Sequence, residues 1–152
     1  MTNYKEFLLK GQFELLEQLN EDAKPDWGIM NAQEMVEHVS SLYLITTQKI
    51  EVQLLGDEES RQKNYQYFVI GKNTFPHNIK LPGLEKPLPL AFESLSHAIE
   101  VLKNSAEEFF NIFEGDPSLK THHPTFGLLS FEDWQWVHYL HANHHYKQFN
   151  LV

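Results

Sequence analysis

The stretch Ser130-Phe131-Glu132-Asp133-Trp134-Gln135-Trp136-Val137-His138-Tyr139-Leu140-His141-Ala142-Asn143-His144-His145-Tyr146-Lys147-Gln148-Phe149 decides how this chain is read. Ser130 can cap a helix, and Asp133 sits three residues on, as in a capping box. The spacing predicts a helix over 130–148. At about 100° per residue, Phe131, Trp134, His138, His141, His145 and Phe149 fall within an arc of about 80°. The core-facing stripe of this helix is thus half histidine. A buried imidazole carries two polar nitrogens that must find partners. A stripe of this kind therefore asks what satisfies it.

Working outward, three more helical segments appear. Before the histidine helix, Phe92, Leu95, Ile99, Leu102, Ala106, Phe109 and Phe113 make the cleanest amphipathic pattern in the chain, predicting a helix over 92–113 that Gly115-Asp116-Pro117 ends. Nearer the start, Asn31 and Glu34 form another capping pair. Met35, Leu42 and Ile45 share the face that follows, predicting a helix from 31 to about 54, and His38 falls inside that stripe. Tyr4, Leu8, Leu15 and Leu19 predict a first helix over 3–19, broken by Lys24-Pro25-Asp26-Trp27-Gly28. Between the second and third helices lies a long connection, 56–91. Its first part, 61–71, reads as a short helix; its second, with Pro76, Pro82, Pro87 and Pro89, reads as irregular. Connections of this length either cover a site or are plain packing excursions. Four amphipathic helices without a convincing strand predict an all-α, four-helix bundle in one domain, 1–152.

Bulk properties narrow the function. A chain of 152 residues with 41% hydrophobic and 13% aromatic residues has the composition of a globular domain. It has no cysteine, which excludes disulfides, thiolate metal sites and a cysteine nucleophile. The first residues lack the basic-then-apolar layout of a signal peptide, and no apolar run is long enough to span a bilayer, so the expected location is the cytoplasm. The formal net charge of −9, with 12 unclustered Lys and Arg, disfavours nucleic acid and anionic membrane surfaces as partners. Nine histidines is the unusual count; five of them, His122, His123, His141, His144 and His145, fall in two short clusters.

His141 and His145 lie one helical turn apart on one face, the spacing by which two imidazoles reach one ion. His38, on the apolar stripe of another helix, could supply a third nitrogen. Taken alone it reads first as a hydrogen-bonded core residue and only second as a ligand. Three histidines with open coordination positions suit Zn, Ni, Fe or Mn, and the ligand types alone do not choose among them. His138 shares the stripe and reads as a core or rim residue, a fourth ligand, or a hydrogen-bond partner of a ligand. His144 is rotated about 60° from His141 and faces a helix interface or solvent. His97 reads as surface. His122 and His123 lie in the loop before the last helix, either solvated or near the mouth of the site. Glu34 is explained by its cap, with a carboxylate bond to His38 as the other reading. There is no His-Glu-x-x-His, no pair of Glu-x-x-His motifs, no Gly-rich phosphate loop and no Gly-x-Ser-x-Gly elbow, which excludes the chemistries built on them.

The segment Asn31-Ala32-Gln33-Glu34-Met35-Val36-Glu37-His38-Val39, after Pro25-Asp26-Trp27-Gly28, resembles the second-helix motif of the DinB/YfiT-like metalloenzyme superfamily. His141-Ala142-Asn143-His144-His145-Tyr146-Lys147-Gln148-Phe149 resembles its last-helix motif. His123-Pro124-Thr125-Phe126-Gly127, with Leu129-Ser130 and Trp134, resembles the approach to that helix in an uncharacterised branch. The resemblance implies an up-down-down-up bundle, a homodimer, and a divalent metal held by three histidines at the positions of His38, His141 and His145, with Zn or Ni foremost and Fe or Mn compatible. Better-known members are transferases and isomerases that use low-molecular-weight thiols such as bacillithiol or mycothiol. It therefore implies a small-molecule substrate and a thiol-dependent S-transferase. The alternative is a non-catalytic metal-binding or sensing module.

Overall fold

A computed structural model describes residues 1–77 and 85–152. Among these residues the chain forms five helices and a two-stranded antiparallel sheet. Helix α1 comprises the α-helical segment Tyr4–Glu6, a π-helical segment Phe7–Gly11 and the α-helical segment Gln12–Leu16. Helix α2 is Ala32–Thr46. Helix α3 comprises Glu58–Asn64 and a π-helical continuation, Tyr65–Ile70. Helix α4 is Leu95–Gly115, strand β1 is Thr121–His123, strand β2 is Gly127–Leu129, and helix α5 is Phe131–Gln148. The expectation of an all-α, four-helix bundle is thereby corrected: the fold is mixed, with a fifth helix and a β-hairpin.

The hairpin escaped the sequence reading for a physical reason. Its strands have three residues each, with Thr121 opposite Leu129 and His123 opposite Gly127. Runs that short are below the four to eight residues over which alternation becomes visible. Gly127 closes the turn with φ +77°, a conformation that favours glycine. The hairpin is the clasp of the fold. Thr121 Oγ1 donates to the Thr46 carbonyl at the end of α2 (2.9 Å) and accepts from Trp134 Nε1 in the first turns of α5 (2.9 Å). It thus ties together the two helices that carry the histidine stripes.

Those two helices run antiparallel. Thr46, at the end of α2, meets His138 in the first half of α5, whereas His38, a little over two turns earlier, meets His141 further along. Both begin with complete capping boxes, Asn31 with Glu34 and Ser130 with Asp133. Helix α2 packs most extensively along α4, whose Phe109 lies against Tyr43 and His138. Gln12 of α1 is wholly buried and accepts from Tyr146 Oη of α5 (2.6 Å). The buried apolar side chains form one cluster drawn from every helix except the α-helical part of α3. Helix α5 is buried on several faces, so Trp134, Val137, Leu140, Ala142 and Tyr146 all join the core.

Three boundaries also differ from expectation. Helix α2 stops at Thr46 and does not reach residue 54. Gln48 takes φ +60°, and the N–H groups of Lys49 and Ile50 turn back to the Leu44 carbonyl, a left-handed cap usually signalled by glycine. Helix α1 ends at Leu16, and its π turn advances the buried stripe from Leu15 to Leu16. Helix α4 starts at Leu95, capped by Ser94. In the long connection, Pro76, Pro87 and Pro89 lie in irregular backbone, and Pro82 is outside the described residues. No helix among the described residues is long and apolar enough to cross a membrane.

Candidate metal centre

The hairpin clasp and the antiparallel pairing of α2 and α5 bring His38, His141 and His145 together. One ring nitrogen from each lies within 4.8 Å of the others. His141 Nε2 and His38 Nε2 are 3.0 Å apart. The ring centroids stand 4.8, 4.6 and 4.7 Å from one another, all edge to face, so the rings form a nearly equilateral cluster. His38 and His141 are half-buried and His145 is buried.

Burial sets the protonation of the cluster. It is the main cause holding His38 down at about 4 and His145 at about 3, with neighbouring imidazoles adding to it. His141 is pushed well below the usual histidine range by burial first and then by His145 and His38. At neutral pH all three are therefore neutral and keep a lone pair, the form in which imidazole binds metal.

Whether these residues fit an ion can be judged from their own geometry. Nitrogens sharing a tetrahedral ion at about 2.1 Å stand roughly 3.4 Å apart. The 3.0 Å His38–His141 spacing and the 4.8 Å outer limit bracket that value. His145 Nδ1 is 2.8 Å from Gln148 Oε1; the amide oxygen can only accept, so Nδ1 carries the proton and Nε2 the lone pair. His141 turns Nε2 to His38, and its Nδ1 is buried without a hydrogen-bond partner among the described residues, so an ion held at Nε2 would leave that second nitrogen as it is. Three neutral imidazoles fit a borderline-soft divalent ion.

The other histidines separate cleanly. His138 is 2% exposed, stacked on Tyr43 at 3.8 Å, and 2.9 Å from Thr46 Oγ1. That hydroxyl gives its own proton to the Leu42 carbonyl, so His138 Nε2–H is the donor. His123 stacks on Phe126 and accepts from the Thr125 N–H, away from the three-histidine group. His122 and His97 are exposed. Glu34 accepts from Asn31 N–H in its capping box, and among the described residues no hydrogen bond joins it to His38.

His144 lies edge-on to His145, to Phe75 and to Trp27. Trp27 in turn stacks on His77 at 3.9 Å. The long connection thus returns beside the histidine group through Phe75 and His77, and its far end is tied next to His38, where Glu37 accepts from Ala91 N–H. Sequence reasoning assigned no role to Gln148, although its position three residues after His145 placed it on the same face. His77 carried no sequence signal, because its stack on Trp27 depends on the path of the connection.

These features define a mixed helical protein with a three-histidine group that could hold a metal ion. The chain belongs to the family described as protein of unknown function DUF1569, whose model matches residues 71–151. No curated protein and no solved structure matches it.

Proposed function

We propose that the protein is a metal-dependent enzyme in which His38, His141 and His145 hold one divalent ion, Zn or Ni foremost, with positions open to a small-molecule substrate. The observation that carries this reading is the convergence of three neutral imidazoles, two of them half-buried, from two helices locked together by the hairpin. Bound there, the ion would supply Lewis acidity, favouring the deprotonated form of a thiol or water delivered to it. The chain's own part is to keep the three rings unprotonated and to orient them, with Trp27 and Phe75 set edge-on against His144, the neighbour of His145. Aromatic rings this near the group suit a substrate with an apolar portion. The resemblance of the two histidine motifs to the DinB/YfiT-like superfamily directs the choice of reaction to thiol-dependent S-transfer. It also underlies the proposal of a homodimer, which a monomeric mass in light scattering would refute.

The test is turnover. Metal-loaded protein is offered a panel of low-molecular-weight thiols with electrophiles, beside His141→Ala protein. Turnover above that control supports the reading; none with any pair counts against it. A second reading, a non-catalytic metal-binding or sensing module, is favoured by one observation. Among the described residues, no carboxylate is hydrogen-bonded to the three histidines to act as general acid or base. Metal-dependent capture of a partner without turnover would select it.

A further inference from the structure

Gln148 sits at a junction that the three-histidine group alone does not explain. Its side chain is buried at the last turn of α5, and its Oε1 faces His145 Nδ1 at 2.8 Å. Its backbone carbonyl accepts from Asp26 N–H at 2.7 Å. Its amide nitrogen occupies the space in front of Gly28, where a Cβ would come within 2.8 Å of it. Gly28 itself has φ +85°, so glycine is required there twice over, by backbone conformation and by close approach. The Asp26-Trp27-Gly28 segment therefore grips Gln148 from outside while His145 holds it from inside.

The consequence for His145 follows from donor and acceptor chemistry. A neutral imidazole carries its proton on one nitrogen only, and the partner of that nitrogen selects which. An amide oxygen placed against Nδ1 selects the Nδ1–H form and leaves Nε2 as the bare nitrogen. We propose that Gln148 is a positioning residue that locks His145 in the Nδ1–H tautomer, with the Asp26–Gly28 turn holding Gln148 in place. Its effect on metal affinity rests on the metal-centre reading above; its effect on the tautomer does not. Orienting partners of histidine ligands change metal affinity about 10–100-fold when removed.

The experiment uses full-length, 15N-labelled protein stripped of metal at neutral pH. Long-range proton–nitrogen correlation spectra report the tautomer of His145, assigned by difference against His145→Ala. Wild-type protein is expected in the Nδ1–H form. Gln148→Leu, similar in size but without an acceptor, is expected to shift His145 toward Nε2–H. Gln148→Glu, which keeps an acceptor at the same place, is expected to retain Nδ1–H, and covers the case in which the leucine variant fails to fold. Competition titration with Zn(II) alone then reads affinity: Gln148→Leu weaker by about 10–100-fold, Gln148→Glu as tight as wild type or tighter. A wild-type His145 in the Nε2–H form, or a folded Gln148→Leu protein with unchanged tautomer, overturns the proposal. A wild-type protein with the Nδ1–H tautomer that binds no Zn(II) supports the positioning role and defeats the metal-centre reading instead.

Discussion

His138 and His141 are three residues apart on one face of one helix, and they meet opposite fates. His138 is sealed between Tyr43 and Trp134, with its Nε2–H on the Thr46 hydroxyl. His141 faces two other imidazoles and keeps a buried nitrogen unpaired among the described residues. The difference lies in what the antiparallel partner presents. Near its end α2 offers a threonine, which accepts the Nε2 proton of a neutral histidine; two turns earlier it offers His38, which can only share a proton or a lone pair. Burial therefore does not distinguish a structural histidine from a candidate ligand. The identity of the facing group does.

The largest effect expected from this comparison is in metal affinity. His38→Ala removes one of three nitrogens and should weaken Zn(II) binding by more than about 100-fold, the upper end for merely losing an orienting partner. His138→Ala should leave affinity within threefold of wild type by the same titration. Equal losses in both variants would erase the distinction.

The second effect is in stability and runs the other way. His138→Ala empties a sealed site and leaves Thr46 Oγ1 without its donor. Unfolding should become easier by about 2–4 kcal/mol, within the usual range for truncating a large buried side chain. His38→Ala, at a half-buried position, should cost less in metal-free protein. Chemical denaturation of both variants checks the order.

A third effect is in the pH dependence. Burial holds His123 at about 3 and His138 well below the ordinary histidine value. An unfolded chain takes up these protons near pH 6.5, and the folded chain does not until the pH is far lower. The unfolded state thus binds more protons in that window, and stability falls as pH drops from about 6.5 toward 3. Thermal melts of metal-free protein should show this decline, and His138→Phe should make it shallower. An unchanged melting temperature from pH 7 to 5 would contradict the neutral, buried assignment.

The smallest effect concerns the frame common to both histidines. Ser130→Ala removes one half of the α5 capping box and should cost about 1 kcal/mol, or roughly 2–4 °C in melting temperature. Metal affinity should not follow it, because the Thr121 clasp still sets the helix.

The same two helices show how far a sequence can be read. The starts of α2 and α5 were legible because capping boxes are local chemistry, and α4 was legible because seven apolar residues repeat at helical spacing. The hairpin was not, since three-residue strands have no periodicity to detect. Nor was the end of α2, where Gln48 takes a conformation that its residue type does not announce. In the site, the spacing of His141 and His145 put two rings on one face, and the stripe put His38 inward. Their meeting needed the antiparallel register, which Thr121 sets through bonds to Thr46 and Trp134. The role of Gln148 needed more still: a rotamer, a turn at Gly28, and the direction of one amide.

The most direct test is elemental analysis of tag-free protein, with a thermal melt before and after added Zn(II) or Ni(II). The account predicts close to one divalent ion per chain, or its uptake with a raised melting temperature, and loss of both in His38→Ala. A wild-type protein that carries no metal, takes none up and melts unchanged would contradict it.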